Sequence, residues 1–213
     1  DAQAVHFEAR WYSYAELNER AERLARLLAA RGVAKGDRVS ILANNHLAHI
    51  DLILATAKLG FVYAPLNTRL AVPEQAAIGA YLKPKLVLHD AAHAEVAAAA
   101  ARGAGAAALE LGAYETELRA TAAGPLKDPG LGPEDVQMIL LTGGTTGLPK
   151  GAMLPYRQGF YNAVNTVLSW GLRPDDCAIQ ATPAFHAAVN ALTVPLLHMG
   201  ARVVLQSAFD PAD

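Results

Sequence analysis

The sequence predicts an α/β fold, and three observations carry that expectation. Short apolar runs of strand length recur along the chain, among them Arg38 to Leu42 (RVSIL) and Val136 to Leu141 (VQMILL). Between such runs lie segments with apolar residues three and four apart, the spacing of a helix with one buried stripe. Gly and Pro stand at the junctions, where helices start and stop. Strands alternating with helices in this way build a sheet flanked by helices.

Each element has its own signal. Ser13-Tyr14-Ala15-Glu16 is a capping box. It opens a helix whose stripe is Leu17, Ala21, Leu24 and Leu28, ended by Gly32. Arg38 to Leu42 is a strand. Asn44 or Asn45 can cap the next helix, with stripe Leu47, Ile50, Leu54 and Ala57 and a stop at Gly60. Phe61 to Ala64 is a strand. Pro73 opens a helix through Leu82, and Pro84 closes it. Lys85 to Leu88 is a strand, and Ala91 to Arg102 is an Ala-rich helix. Gly103 to Gly132 is Ala- and Gly-rich with little pattern, and reads as a surface excursion because apolar strands resume at Val136. After that come a helix from Tyr156 to Trp170, a strand from Ala178 to Thr182, a helix from Ala187 to Met199 and a strand from Arg202 to Leu205.

Composition narrows the function classes. With 213 residues the chain can bury a true core. Its 53% hydrophobic content is inflated by Ala. No uncharged apolar run reaches the ~20 residues that span a bilayer, so no integral membrane segment is expected. The start, DAQAVHFEAR, lacks a basic-then-apolar signal pattern. The single Cys177 cannot form an internal disulfide and reads as a small buried residue, which fits a reducing cytoplasm. A net charge of -2 gives no electrostatic reason to expect nucleic acid.

The most informative stretch is Leu140 to Gly151, LLTGGTTGLPKG. A strand precedes it. Gly143, Gly144 and Gly147 let backbone N–H groups point inward without a Cβ in the way. Thr142, Thr145 and Thr146 add hydroxyl donors. Lys150 adds positive charge, on an arm stiffened by Pro149. This is the chemistry of a phosphate-binding loop. It is not a Walker A loop, which needs Gly-Lys followed by Ser or Thr, because Pro149 precedes Lys150 and Gly151 follows it. Gly143-Gly144-Thr145-Thr146-Gly147 also breaks the Gly-x-Gly-x-x-Gly spacing of dinucleotide folds.

The stretch resembles the signature loop of the acyl-adenylate-forming (AMP-binding) superfamily, usually Thr-Ser-Gly-Thr-Thr-Gly-x-Pro-Lys-Gly. This chain departs from it by carrying Gly143 where Ser is common. Three further stretches look like family motifs in family order. They are Trp11 to Leu17, Leu59 to Asn67 (LGFVYAPLN) and Pro183-Ala184-Phe185-His186. The resemblance implies layered sheets flanked by helices, as in the large N-terminal domain of adenylate-forming enzymes. It also implies ATP, Mg²⁺ and coenzyme A, with a carboxylic acid as substrate, and it allows a homodimer. Family members are more than twice as long. Residues 1–213 are therefore expected to be the N-terminal portion of the AMP-binding domain, without its C-terminal part or the small lid domain that carries a catalytic Lys. Asp210 before Pro211 looks like the start of a further helix.

By the same resemblance, Thr142 to Lys150 would hold the β- and γ-phosphates of ATP. His186, at the end of a strand where α/β sheets place ligands, would orient the carboxylate or stabilise charge as it reacts. Amino-acid-activating relatives commonly carry Asp at that position to pair with the substrate's ammonium group. His186 removes that pair and argues for a fatty or aryl acid. Positions 187, 190, 191 and 194 share a helical face that reads Ala, Asn, Ala, Val. With Phe185 and His186, Asn190 and Ala191 are the expected acyl-pocket wall, to which the preceding helix would add Tyr161 and Asn165. Ordinary Ala-rich packing against the sheet is the competing reading of that face. His93, in its Ala-rich helix, is expected to be solvated. The functional expectation is an acyl-CoA ligase. An adenylating enzyme that loads a carrier protein, and a non-enzymatic phosphate-binding domain, stay open beside it.

Overall fold

The structure, a computed structural model, describes residues 2–143 and 149–208. Its strands form two sheets. The larger has six strands. β3 (Arg38–Leu42), β4 (Val62–Pro65) and β5 (Leu86–His89) form its parallel centre, and β6 (Ala107–Glu110), β7 (Val136–Thr142) and β8 (Lys150–Pro155) extend it in the order β6-β5-β3-β4-β7-β8. The smaller holds β1 (Gln3–Phe7), β2 (Arg10–Ser13), β9 (Cys177–Gln180) and β10 (Arg202–Leu205), in the order β2-β1-β10-β9. β1 and β2 are an antiparallel hairpin. β10 then pairs in parallel with β1, Val5 opposite Val203, so the chain's start is locked against its last described strand.

The central strands are buried on both faces, and their alternation divides the core. Val39, Ile41, Tyr63, Leu86 and Leu88 face one cluster, together with α1 (Tyr14–Ala30), α2 (Leu47–Leu59) and α5 (Leu111–Ala120). Ala64 and Val87 face the other, against α3 (Val72–Leu82) and α4 (Ala94–Ala104). A parallel sheet covered on both sides demands near-continuous apolar strands, and RVSIL and LVLH supply them. α1 and α2 also bury Leu17, Leu47 and Ile50 against the smaller sheet, so these two helices lie between the sheets.

The Ala-rich composition has a packing reason. A Cβ added at Gly79 of α3 would lie 1.9 Å from the carbonyl oxygen of Ala100, and one at Gly103 of α4 would lie 2.2 Å from that of Ala76. The two helices touch backbone to backbone, which only small residues permit.

Helix boundaries follow the local chemistry. The capping box at Ser13 is present in full: its hydroxyl accepts from the Glu16 N–H at 3.2 Å, and Glu16 accepts from the Ser13 N–H at 2.7 Å. Gly60 ends α2 in the left-handed region, φ 80°. A buried charge cluster ties α1, α2 and α5 together. Arg20 bridges Asp51 at 2.7 Å and Glu115 at 2.6 Å, and the Tyr114 hydroxyl donates to Asp51 at 2.7 Å. Burial would lower the Arg20 pKa, but the carboxylates outweigh it and hold the guanidinium charged.

Several expectations are corrected. The segment 103–132 is not patternless: it holds β6 and α5. β6, AALE, is too short and Ala-rich to show a period, and its pairing with β5 makes it a strand. α5 did carry a signal, Leu111, Tyr114 and Leu118 on one face, all buried. The α2 cap is His46, whose Nδ1 accepts from the Ala48 N–H at 3.1 Å, not Asn44 or Asn45. His93 is not simply solvated: its Nδ1 lies 2.6 Å from Asp90 Oδ1. Cys177 is exposed, because β9 is an edge strand. The hairpin β1–β2 and the strand β8 gave no clear sequence signal. The expected helix 187–199 is a wide π-type turn, Val189–Thr193, followed by α7 (Val194–Met199).

Candidate active site

β7 and β8 form an antiparallel hairpin, and the glycine- and threonine-rich stretch is its connection. Thr142 pairs with Lys150, and the Thr142 hydroxyl donates to the Lys150 carbonyl at 3.2 Å. Lys150 therefore begins a strand rather than ending a loop, and its position is fixed by the sheet. Its side chain is exposed. Gly151, next to it, packs on Ile139: a Cβ there would come within 2.9 Å of Ile139 Cγ2. Among the described residues, a Cβ at Gly143 would meet nothing within 4 Å. Gly144, Thr145, Thr146 and Gly147 lie outside the described residues, as do Asp210 and Pro211.

The second component is the turn after β9. The His186 N–H donates to the Pro183 carbonyl at 2.9 Å, and the Val189 N–H donates to the His186 carbonyl at 3.2 Å. The Ala188 N–H donates to His186 Nδ1 at 3.3 Å. An Nδ1 that accepts leaves the proton of the neutral ring on Nε2. The exposed imidazole is thus set up as an Nε2–H donor.

These components meet at a cavity of about 420 Å³. β7 and the hairpin contribute Thr142, Gly143 and Pro149, the segment after β4 contributes Pro65 and Asn67, and the turn contributes Phe185, His186 and Ala187. The three segments follow parallel strands, so they gather at the carboxyl ends of the sheets, where α/β folds place ligands. Of the sequence-derived site residues, Thr142, Gly143, Phe185 and His186 line this cavity, and Lys150, one residue beyond Pro149, does not. Tyr161, Asn165 and Ala191 are exposed elsewhere, and Asn190 is buried; none of these four lines it. α6 (Tyr156–Trp170) turns Tyr161 and Asn165 outward, because its inward face is Gly159 and Ala163. The backbone carbonyl of Asn190 accepts from Asn162 Nδ2 at 2.7 Å. Pro65 and Asn67 were not expected at the site, whereas Ala187 belongs to the helical face expected there. The signal for the first two was their place in the LGFVYAPLN motif at the end of a strand.

Among the described residues no carboxylate lines the cavity, and no group of three His, Cys, Asp or Glu could hold a metal ion. Among the described residues no helix is long and apolar enough to cross a membrane.

Comparison with known proteins gives this geometry a family. The sequence matches the AMP-binding enzyme family over residues 1–213. It is 39% identical to the feruloyl-CoA synthase of an Amycolatopsis species over 99% of this chain and 42% of the relative. It is 36% identical to the indoleacetate–CoA ligase of Aromatoleum aromaticum over 97% of this chain and 42% of the relative. The fold superposes on ATP-bound MatB from Rhodopseudomonas palustris with a TM-score of 0.88 at 32% identity, covering 99% of this chain and 43% of that one. It also superposes on the N-terminal domain of FACL13 from Mycobacterium tuberculosis, TM-score 0.86 at 29% identity, covering 98% of this chain and 54% of that one. The chain thus spans less than half the length of the curated relatives it matches. Matched by family pattern along its whole length and by fold to ATP-bound MatB, the chain belongs to the AMP-binding enzyme family.

Proposed function

We propose that the protein carrying this chain is an ATP-dependent ligase of the cytoplasm that joins an aryl or fatty acid to coenzyme A, and that residues 1–213 are the N-terminal portion of its AMP-binding domain. One observation carries the reading: the signature hairpin and the His186 turn line a single cavity at the carboxyl ends of the strands. The relatives named for feruloyl and indoleacetate substrates favour an aryl acid.

The acid's carboxylate oxygen attacks the α-phosphorus of ATP. An acyl–phosphate bond forms, the bond to the β-phosphate oxygen breaks, and pyrophosphate leaves. The thiol of coenzyme A then attacks the acyl carbon and AMP departs. In this reading the hairpin from Thr142 to Lys150 holds the β- and γ-phosphates, with the Lys150 ammonium balancing their charge. The His186 Nε2–H donates to a carboxylate oxygen and orients it for attack. Phe185 and Ala187 supply apolar wall beside it. The expected wall at Tyr161, Asn165, Asn190 and Ala191 gains no support from the cavity and is not retained. Mg²⁺ accompanies ATP in this chemistry, commonly on the substrate's own phosphates. The described residues offer it no ligand set, so no step is assigned to it.

Acid-dependent exchange of labelled pyrophosphate into ATP by the full-length protein, across a panel of aryl and fatty acids, tests the proposal. Exchange with aryl or medium-to-long fatty acids, followed by release of the thioester on adding coenzyme A, is expected. No exchange with any acid would overturn it.

A further inference from the structure

The turn that presents His186 leaves the smaller sheet at β9, whereas the hairpin that faces it belongs to the larger sheet. The distance between them is set by whatever ties the turn to the larger sheet. Asn45, in the loop between β3 and α2, does this with both ends of its carboxamide. Its Nδ2 donates to the Thr182 carbonyl at 3.0 Å, and its Oδ1 accepts from the Ala184 N–H at 2.6 Å. The side chain is only 5% exposed. A carbonyl can only accept and an amide N–H can only donate, so the two partners fix which way the carboxamide faces. The bonds bracket Pro183, which has no N–H of its own. Asn45 thus gives residues 182 and 184 the partners a neighbouring strand would give.

The turn is braced from its own side as well. Gln180 Nε2 donates to the Thr182 carbonyl at 2.7 Å, and Gln180 Oε1 accepts from the Thr193 hydroxyl at 2.6 Å. These bonds shape the turn but do not reach the larger sheet. The two Asn45 bonds do, and the His186 N–H then bonds back to Pro183 inside the clamped segment. We propose that Asn45 is a positioning residue that sets where His186 stands relative to the phosphate hairpin. The consequence for catalysis rests on the ligase reading; the clamp does not.

The test uses the full-length protein with Asn45→Ala and Asn45→Asp, each alone and combined with His186→Ala. Asn45→Asp keeps the acceptor for Ala184 and loses the donor to Thr182, and it serves if Asn45→Ala folds poorly. Amide exchange reads the clamp directly. Ala184 and His186 amides should exchange at least ~10-fold faster in the variants, while β3 and β5 keep their protection. Unchanged protection at Ala184 overturns the proposal, whether or not the protein is a ligase. Single-turnover adenylation reads the consequence. Asn45→Ala should slow it by about 10- to 100-fold, with the KM for ATP changed less than about threefold. In the His186→Ala background the same substitution should cost less than about threefold, because its effect passes through the missing ring. Equal slowing in both backgrounds would make Asn45 a merely structural residue and overturn its action through His186. If the wild type adenylates no acid, the ligase reading fails, and the exchange result alone decides the clamp.

Discussion

His49 lies fully inside the fold, 1% exposed, with Nδ1 2.7 Å from the Tyr63 hydroxyl. Burial, assisted by nearby His46, pushes its pKa from 6.5 down to about 4. The unfolded chain takes up a proton at this group as pH falls below about 6.5, while the folded site refuses one until about pH 4. Acid therefore favours the unfolded state across that window. The stabilisation is fully present above pH 6.5 and is lost as pH falls towards 4. At about 1.4 kcal/mol per pH unit, His49 alone should account for about 3 kcal/mol of lost stability between pH 7 and pH 4. The comparison is Tyr63→Phe against Tyr63→Phe/His49→Phe. The double variant removes the titrating ring without leaving a buried hydroxyl unpartnered. Urea unfolding followed by circular dichroism at half-unit pH steps gives both stability curves. The curve of Tyr63→Phe should fall more steeply below pH 6.5, and the gap between the curves should shift by about 3 kcal/mol by pH 4. Curves that stay parallel from pH 7 to pH 4 would show that His49 titrates normally and that the burial argument is wrong.

Other outcomes follow from the same geometry. Arg20→Leu leaves Asp51 buried without its cation and should cost about 3–5 kcal/mol by urea unfolding, far more than removing the exposed partner of the Arg157–Glu134 pair. Gly79→Ala drives a Cβ into the Ala100 carbonyl and should force α3 and α4 apart, lowering the melting temperature by several degrees; an unchanged melting temperature would refute the backbone contact. Lys150→Ala, on an exposed strand position, should change stability by less than about 0.5 kcal/mol yet slow adenylation by the full-length protein, with kcat falling at least as much as KM rises. Residues 1–213 alone should not form AMP steadily from ATP, acid and coenzyme A, since they make up less than half the length of the ligases they match; steady turnover by the fragment would contradict the domain assignment.

The local elements were legible in the sequence wherever a short-range signal decided them. The Ser13–Glu16 capping box, the left-handed Gly60, the apolar run RVSIL and the helix from Tyr156 to Trp170 all stand where their residues predict. Such signals act within a turn of helix or one strand, so sequence alone carries them. The family was legible for a similar reason: its signature is a dense run of particular residue types within a few positions of one another. Tertiary structure decided what depends on partners far along the chain. β6 is a strand because β5 pairs with it, and β1 because β10, some two hundred positions away, lies beside it. Cys177 is exposed because its strand is at an edge, and Tyr161 and Asn165 face outward because α6 packs inward through Gly159 and Ala163. That Asn45 holds the His186 turn instead of capping a helix could not be read locally. Its carboxamide can satisfy either set of groups, and the choice is made by which unpaired backbone atoms the fold brings within hydrogen-bonding reach.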